Sequence, residues 1–85
     1  METEVIIHNP LGIHSRPAGA VMKMAALFPC DVRLIKADKE ANGKSIVSIL
    51  ALEMNYGDKV VLKTSGEREE EALRQIGAVL SAVFE

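Results

Sequence analysis

The sequence predicts an α+β fold, a two-layer domain with helices on one face of an antiparallel sheet. Short β-branched runs alternate with stretches of helical spacing along the 85 residues. The middle connection is short, so the alternation does not require a parallel sheet. Several strand segments also keep one polar face, as strands with one wet side do. Apolar residues make up 48% of the chain, enough for one core, and the length fits a single domain over 1–85.

Residues 3–8, TEVIIH, read as the first strand and stop at Asn9-Pro10. From Ala18 the apolar positions Ala18, Val21, Met22, Ala25 and Phe28 have helical spacing, and Pro29 ends them. Pro17 suits the first turn, so the helix begins at about Ser15 to Pro17, with Ser15 available as its cap and His14 just outside. Residues 31–37 read as a second strand, and 38–43 hold a turn and a short third strand. The segment KSIVSILALEM (44–54) is helical but too apolar for an ordinary amphipathic helix, and Ser45 suits its N-cap. A turn over 55–58, punctuated by Gly57, leads to a strand over 59–64. After Ser65-Gly66 comes a long helix with Glu67, Glu69, Glu70 and Glu71 in its first turns, where acids complement the helix dipole. Leu73, Ile76, Leu80 and Val83 form its expected buried stripe.

Composition excludes several functions. The net charge is −2, from 10 basic and 12 acidic residues, and there is no tryptophan. Nucleic-acid binding wants a basic face and stacking platforms, so nucleic acid is not an expected partner. No apolar run approaches a membrane span, and METEVIIHNP carries acids where a signal peptide carries bases. The expected location is therefore cytoplasmic. Cys30 is the lone cysteine, read as a partly buried small hydrophobe. His8 and His14 lack a third ligand at any recognisable spacing, so no metal site is expected.

The chemistry gathers at LGIHSRPAGA (11–20). The first N–H groups of a helix have no intrahelical acceptor, and the helix dipole adds positive character there. Arg16 adds a donor fork suited to phosphate oxygens, and Gly12 lets the backbone pass close to a ligand. Ser15, Arg16 and Pro17 thus frame an anion site with the His14 imidazole at its rim. The residues alone leave three roles open for that ring: general base, phosphate ligand, or nucleophile that becomes phosphorylated.

GIHSRPA (12–18) resembles the active-site signature of the HPr family, the histidine-containing phosphocarriers of the bacterial phosphoenolpyruvate:sugar phosphotransferase system (PTS). That signature is Gly, an apolar residue, His, a small residue, then Arg-Pro-Ala, and every position agrees. NGKSIVSILAL (42–52) is similar to the family's regulatory segment, with Lys44-Ser45-Ile46 in register. The resemblance implies an open-faced β-sandwich, four antiparallel strands under three helices. It implies that His14 is phosphorylated through Nδ1 by phosphorylated enzyme I, itself charged by phosphoenolpyruvate, with no cofactor bound to this chain. Arg16 would neutralise the phosphoryl group and help pass it to enzyme II A components. Ser45 would be the serine modified by an HPr kinase/phosphorylase, and a transcriptional regulator is a further implied partner. The protein would act as a monomeric carrier with a phosphohistidine intermediate, not as a free-standing turnover enzyme.

With that resemblance, Ile49 and Leu52 are expected in the core, while Ile46, Val47 and Leu50 stay exposed near His14 as a partner surface with Gly19, Met22 and Lys23. Gly19 sits early in its helix, where Ala would be roughly 0.5–1 kcal/mol better. Met22, Met24 and Ala26 leave Lys23 as that helix's only base after Arg16, which weakens steering toward acidic partners. Two rival readings remain. A small acylphosphatase-like hydrolase shares the size and a loop arginine but leaves His14 unexplained. An HPr-like binding module in nitrogen or carbon regulation would share the whole motif without feeding sugar transport.

Overall fold

The computed structural model describes residues 1–84. Its elements run β1 (Glu2–Ile6), α1 (Ser15–Ala25), β2 (Asp31–Lys36), β3 (Lys39–Asn42), α2 (Ile46–Ala51), β4 (Lys59–Ser65) and α3 (Glu69–Leu80). The four strands form one antiparallel sheet in the order β1-β4-β2-β3. Every second residue of the central strands is buried: Val32 and Leu34 on β2, Val60, Leu62 and Thr64 on β4. That period of two turns one face to the core and leaves Lys63 on the open face. The three helices cover the buried face with Ala18, Val21 and Ala25 from α1, Ile49 from α2, and Ala72, Ile76 and Leu80 from α3. The α+β two-layer plan and its element order agree with the sequence reading.

Several boundaries move, each for a local reason. β1 stops at Ile6 rather than at His8; beyond it, Ile7 donates to Asp58 O and accepts from Gly57 N, tying the chain to the 55–58 turn. α1 ends at Ala25, and Leu27 and Phe28 donate to carbonyls three residues back in a tightened turn before Pro29. α2 is six residues long, not eleven. Ser45 caps it, and Glu53, at φ +55°, turns the chain away after Leu52. α3 starts later than its acids suggest, because Arg68 takes a left-handed conformation (φ +61°) and leaves Glu67 outside the helix. Val83 lies beyond the end of α3 and is exposed, so it is not part of the buried stripe; Ala72 belongs there instead. Cys30 is fully buried rather than partly so. No helix among the described residues is long and apolar enough to cross a membrane.

Candidate functional site: the entrance to α1

The segment between β1 and α1 is pressed onto the segment that follows α2. Ile13 N donates to Met54 O at 2.9 Å, and Gly12 N donates back to Asn9 O at 2.9 Å. Gly12 has φ +74°, and a Cβ there would lie 2.5 Å from Met54 O. The expectation that Gly12 clears space for a ligand is therefore corrected: it clears space for the protein's own backbone. The platform beneath is itself stapled. Lys36 Nζ pairs with Asp58 Oδ2 at 2.8 Å and also donates to the Glu53 carbonyl. Asp58 Oδ2 accepts from Asn55 N at 2.7 Å. The Lys36 hydrogen bond, with help from Asn55 N, holds the Asp58 carboxyl below its ordinary range.

His14 occupies the N-cap position of α1. Its carbonyl accepts the first helical bond, from Ala18 N at 2.9 Å, and its backbone is extended (φ −87°, ψ −165°). Ser15 is thus the first helical residue, exposed and not the cap, which corrects the sequence reading. Among the described residues no side chain caps the helix start, and no acid stands in its first turn. The donors left free by the helix geometry are the main-chain N–H groups of Ser15 and Arg16. Pro17 has no N–H and is buried, so it shapes the first turn without donating to an anion. Arg16 is exposed, and the ion pairs among the described residues all involve other groups.

The His14 ring is half-buried, and its Nε2 is buried with no hydrogen-bond partner, the one such side-chain atom among the described residues. An unpaired buried polar atom costs stability, and a role in catalysis is one of the reasons a fold retains one. Beside the ring lies an open cavity of about 350 Å³, to which Leu11, Leu50, Glu53 and Asn55 contribute. The site therefore combines one solvent-facing side of an imidazole, two free main-chain donors and an unpaired guanidinium, all on one helix end.

The surrounding surface only partly follows expectation. Ile49 and Leu52 are core residues, whereas Val47 and Leu50 are exposed, as anticipated. Ile46 is half-buried and packed against the core, not free; a Cβ on Gly19 would sit 3.8 Å from its Cδ1. Met22 also packs against the core, while Lys23 is exposed. Ser45 caps α2, its Oγ accepting from Ser48 N at 3.3 Å, and lies at the opposite end of that helix from Leu50. His8 is exposed past the end of β1. The sequence reading missed Leu11, 68% exposed beside the ring, and Glu53. An uncompensated leucine next to the motif was the available signal for Leu11; nothing local marks Glu53.

The family model described as "PTS HPr component phosphorylation site" matches residues 1–82. The chain is 37% identical over 78 residues to the phosphocarrier protein HPr of Mycoplasma pneumoniae, covering 91% of this chain and 89% of that protein. Its fold matches the crystal structure of HPr-C-His from Thermoanaerobacter tengcongensis with a TM-score of 0.90 and 32% identity, over 94% of this chain and 90% of that one. It is also similar to Crh, a Bacillus subtilis catabolite repression protein whose crystal structure is a swapped dimer, with a TM-score of 0.78 and 34% identity over 95% and 94% of the two chains. The four-stranded sheet under three helices is the HPr open-faced sandwich, and the chain belongs to the HPr family of phosphotransferase-system phosphocarriers.

Proposed function

We propose that His14 accepts a phosphoryl group on Nδ1 from phosphorylated enzyme I and passes it to an enzyme II A component. The carrying observation is the unequal state of the two ring nitrogens. Nε2 is buried, so a phosphoryl group cannot be built on it without moving the ring. In the neutral ring one nitrogen carries the proton and the other the lone pair, so a proton on Nε2 frees Nδ1 to attack. As the Nδ1–P bond forms, the bond to enzyme I breaks; the reverse exchange delivers the group to enzyme II A. The added charge of about −1.5 to −2, by analogy with other phosphorylated side chains, meets the Ser15 and Arg16 N–H groups and the Arg16 guanidinium. Such charge-assisted bonds are worth roughly 1.5–3 kcal/mol each, enough to hold the group and not enough to trap it. Phosphoenolpyruvate enters only through enzyme I, and this chain needs no bound cofactor.

In this reading the protein is a cytoplasmic monomer serving sugar uptake. Exposed Val47, Leu50 and Lys23 form the partner surface, with Gly19, Met22 and Ile46 shaping it from beneath. Ser45 is the site of regulatory phosphorylation by an HPr kinase/phosphorylase. The cap position supports this, because a phosphate at a helix start is electrostatically tolerated. The likeness to Crh favours a second reading, a regulatory module that docks to a transcriptional regulator rather than feeding sugar transport.

The test is incubation with phosphoenolpyruvate and enzyme I followed by mass spectrometry. An acid-labile gain of one phosphoryl group is expected in the wild type, none in His14→Ala, and slowed transfer in Arg16→Ala. An undiminished gain in His14→Ala refutes the assignment. Treatment with HPr kinase and ATP is expected to add an acid-stable phosphate at Ser45; its appearance elsewhere rejects that site.

A further inference from the structure

Asn9 was legible only as a loop residue, yet it is completely buried. Both ends of its side-chain amide are used. Nδ2 donates to Gly12 O at 2.9 Å, and Oδ1 accepts from Phe84 N at 2.8 Å. A carbonyl can only accept and a main-chain N–H can only donate, so these partners fix which way the amide points. The carbonyl that Asn9 holds belongs to the same peptide group as Ile13 N, which donates to Met54 O. That peptide is therefore gripped at both ends, by Asn9 on one side and by the platform after α2 on the other. His14 is the next residue along.

We propose that Asn9 is a positioning residue for phosphoryl acceptance at His14, and that it does this by tying the His14 loop to the chain that follows α3. The inference rests on the reading of His14 as the acceptor. Released at its Gly12 end, the Gly12–Ile13 peptide can rock about the Met54 contact. That motion re-aims the His14 ring relative to the Ser15 and Arg16 N–H groups, which are fixed by α1. Transfer depends on this alignment, and small misplacements of reacting groups are costly to rate. Partner recognition does not depend on it, because Val47 and Leu50 are carried by α2, which neither Asn9 hydrogen bond touches. The C-terminal stretch thereby bears on the site through one hydrogen bond across 75 residues of sequence separation.

Three full-length variants separate the links. Phe84→Ala keeps the amide donor and removes the ring; Phe84→Pro removes the donor. Asn9→Asp keeps an acceptor for Phe84 N and loses the donor to Gly12 O. Phosphoryl acceptance is measured against enzyme I concentration, with the ¹⁵N spectrum of the His14 ring recorded in the unphosphorylated protein. Phe84→Pro and Asn9→Asp are expected to lower kcat about five- to tenfold, the equivalent of one net hydrogen bond, with KM for enzyme I changed by less than about twofold. Both should also alter the ring spectrum, and Phe84→Ala should match the wild type in all three readouts. If either variant fails to fold, the other decides. Folded variants with wild-type kcat and an unaltered ring spectrum overturn the role of Asn9. A wild type that takes no phosphate on His14 instead overturns the acceptor reading, while the ring spectra still report whether the clamp positions the imidazole.

Discussion

Replacing Gly12 by Ala tests the account of how the His14 loop is seated, and Gly57→Ala supplies its control. Both glycines have left-handed backbones, φ +74° and φ +86°. They differ in surroundings: a Cβ at Gly12 would stand 2.5 Å from Met54 O and 3.1 Å from Asn55 Cα, whereas a Cβ at Gly57 meets nothing within 4 Å. A non-glycine residue in this region costs about 1–2 kcal/mol. Restricting the unfolded chain returns about 0.4–1 kcal/mol. Gly57→Ala should thus destabilise by about 0–1.6 kcal/mol. Gly12→Ala carries the same backbone cost plus a clash with main-chain atoms that cannot swing aside, and forced overpacking costs about 1–3 kcal/mol. Its expected loss is about 1–4.6 kcal/mol, about 1–3 kcal/mol beyond that of Gly57→Ala, and each kcal/mol lowers Tm by about 4–8 °C in a domain of this size. Urea unfolding at constant m-value, with thermal melts alongside, measures both. If the two variants fall within about 0.5 kcal/mol of each other, the close approach at Met54 does not constrain the loop and the reasoning fails.

Two further outcomes concern the platform and α2. Lys36→Met should destabilise by about 0.5–1 kcal/mol at neutral pH, in the range of partly exposed ion pairs. Because Lys36 holds the Asp58 carboxyl below its ordinary value of 3.8, the contribution is fully present above that value and is lost as pH falls through the lowered one. The gap between wild type and Lys36→Met should therefore narrow in acid, leaving the part due to the Glu53 carbonyl, and a gap independent of pH counts against the pair. Ser45→Ala should cost about 0.5–1 kcal/mol, toward the low end for a cap because its bond to Ser48 N is 3.3 Å long. Ser45→Asp should recover most of it, and chemical denaturation of the three proteins is the check.

The parts of the site that were legible in the sequence are those specified over a few residues. Pro17 and the spacing from Ala18 placed the helix start within a residue or two, and with it His14 at the dipole's positive end. Ser15 was misassigned as the cap because its chemistry suits that role; the first helical bond instead goes to the His14 carbonyl, and hydroxyl chemistry does not reveal which carbonyl that is. The groups that seat the loop were hidden for a different reason. Met54 lies 41 residues from Ile13 and Phe84 lies 75 residues from Asn9, and no local pattern encodes such partners. Ile46 shows the same limit, since its half-burial is decided by α1 packing beside it and not by its own helix.

The strand order has a consequence for how the protein is made. β4 separates β1 from β2, so β1 has no neighbour in the sheet until residues 59–65 exist. The β2–β3 hairpin can pair early, as it joins strands next to one another in sequence. The register Val5↔Val60, by contrast, closes a long loop, the kind of contact that forms late and slows folding. A chain still on the ribosome at residue 58 carries His14 and Arg16 but has no completed sheet beneath α1. Only the later-synthesised part of the chain turns that sequence motif into a site, so unfinished polypeptides carry His14 without the architecture that seats it.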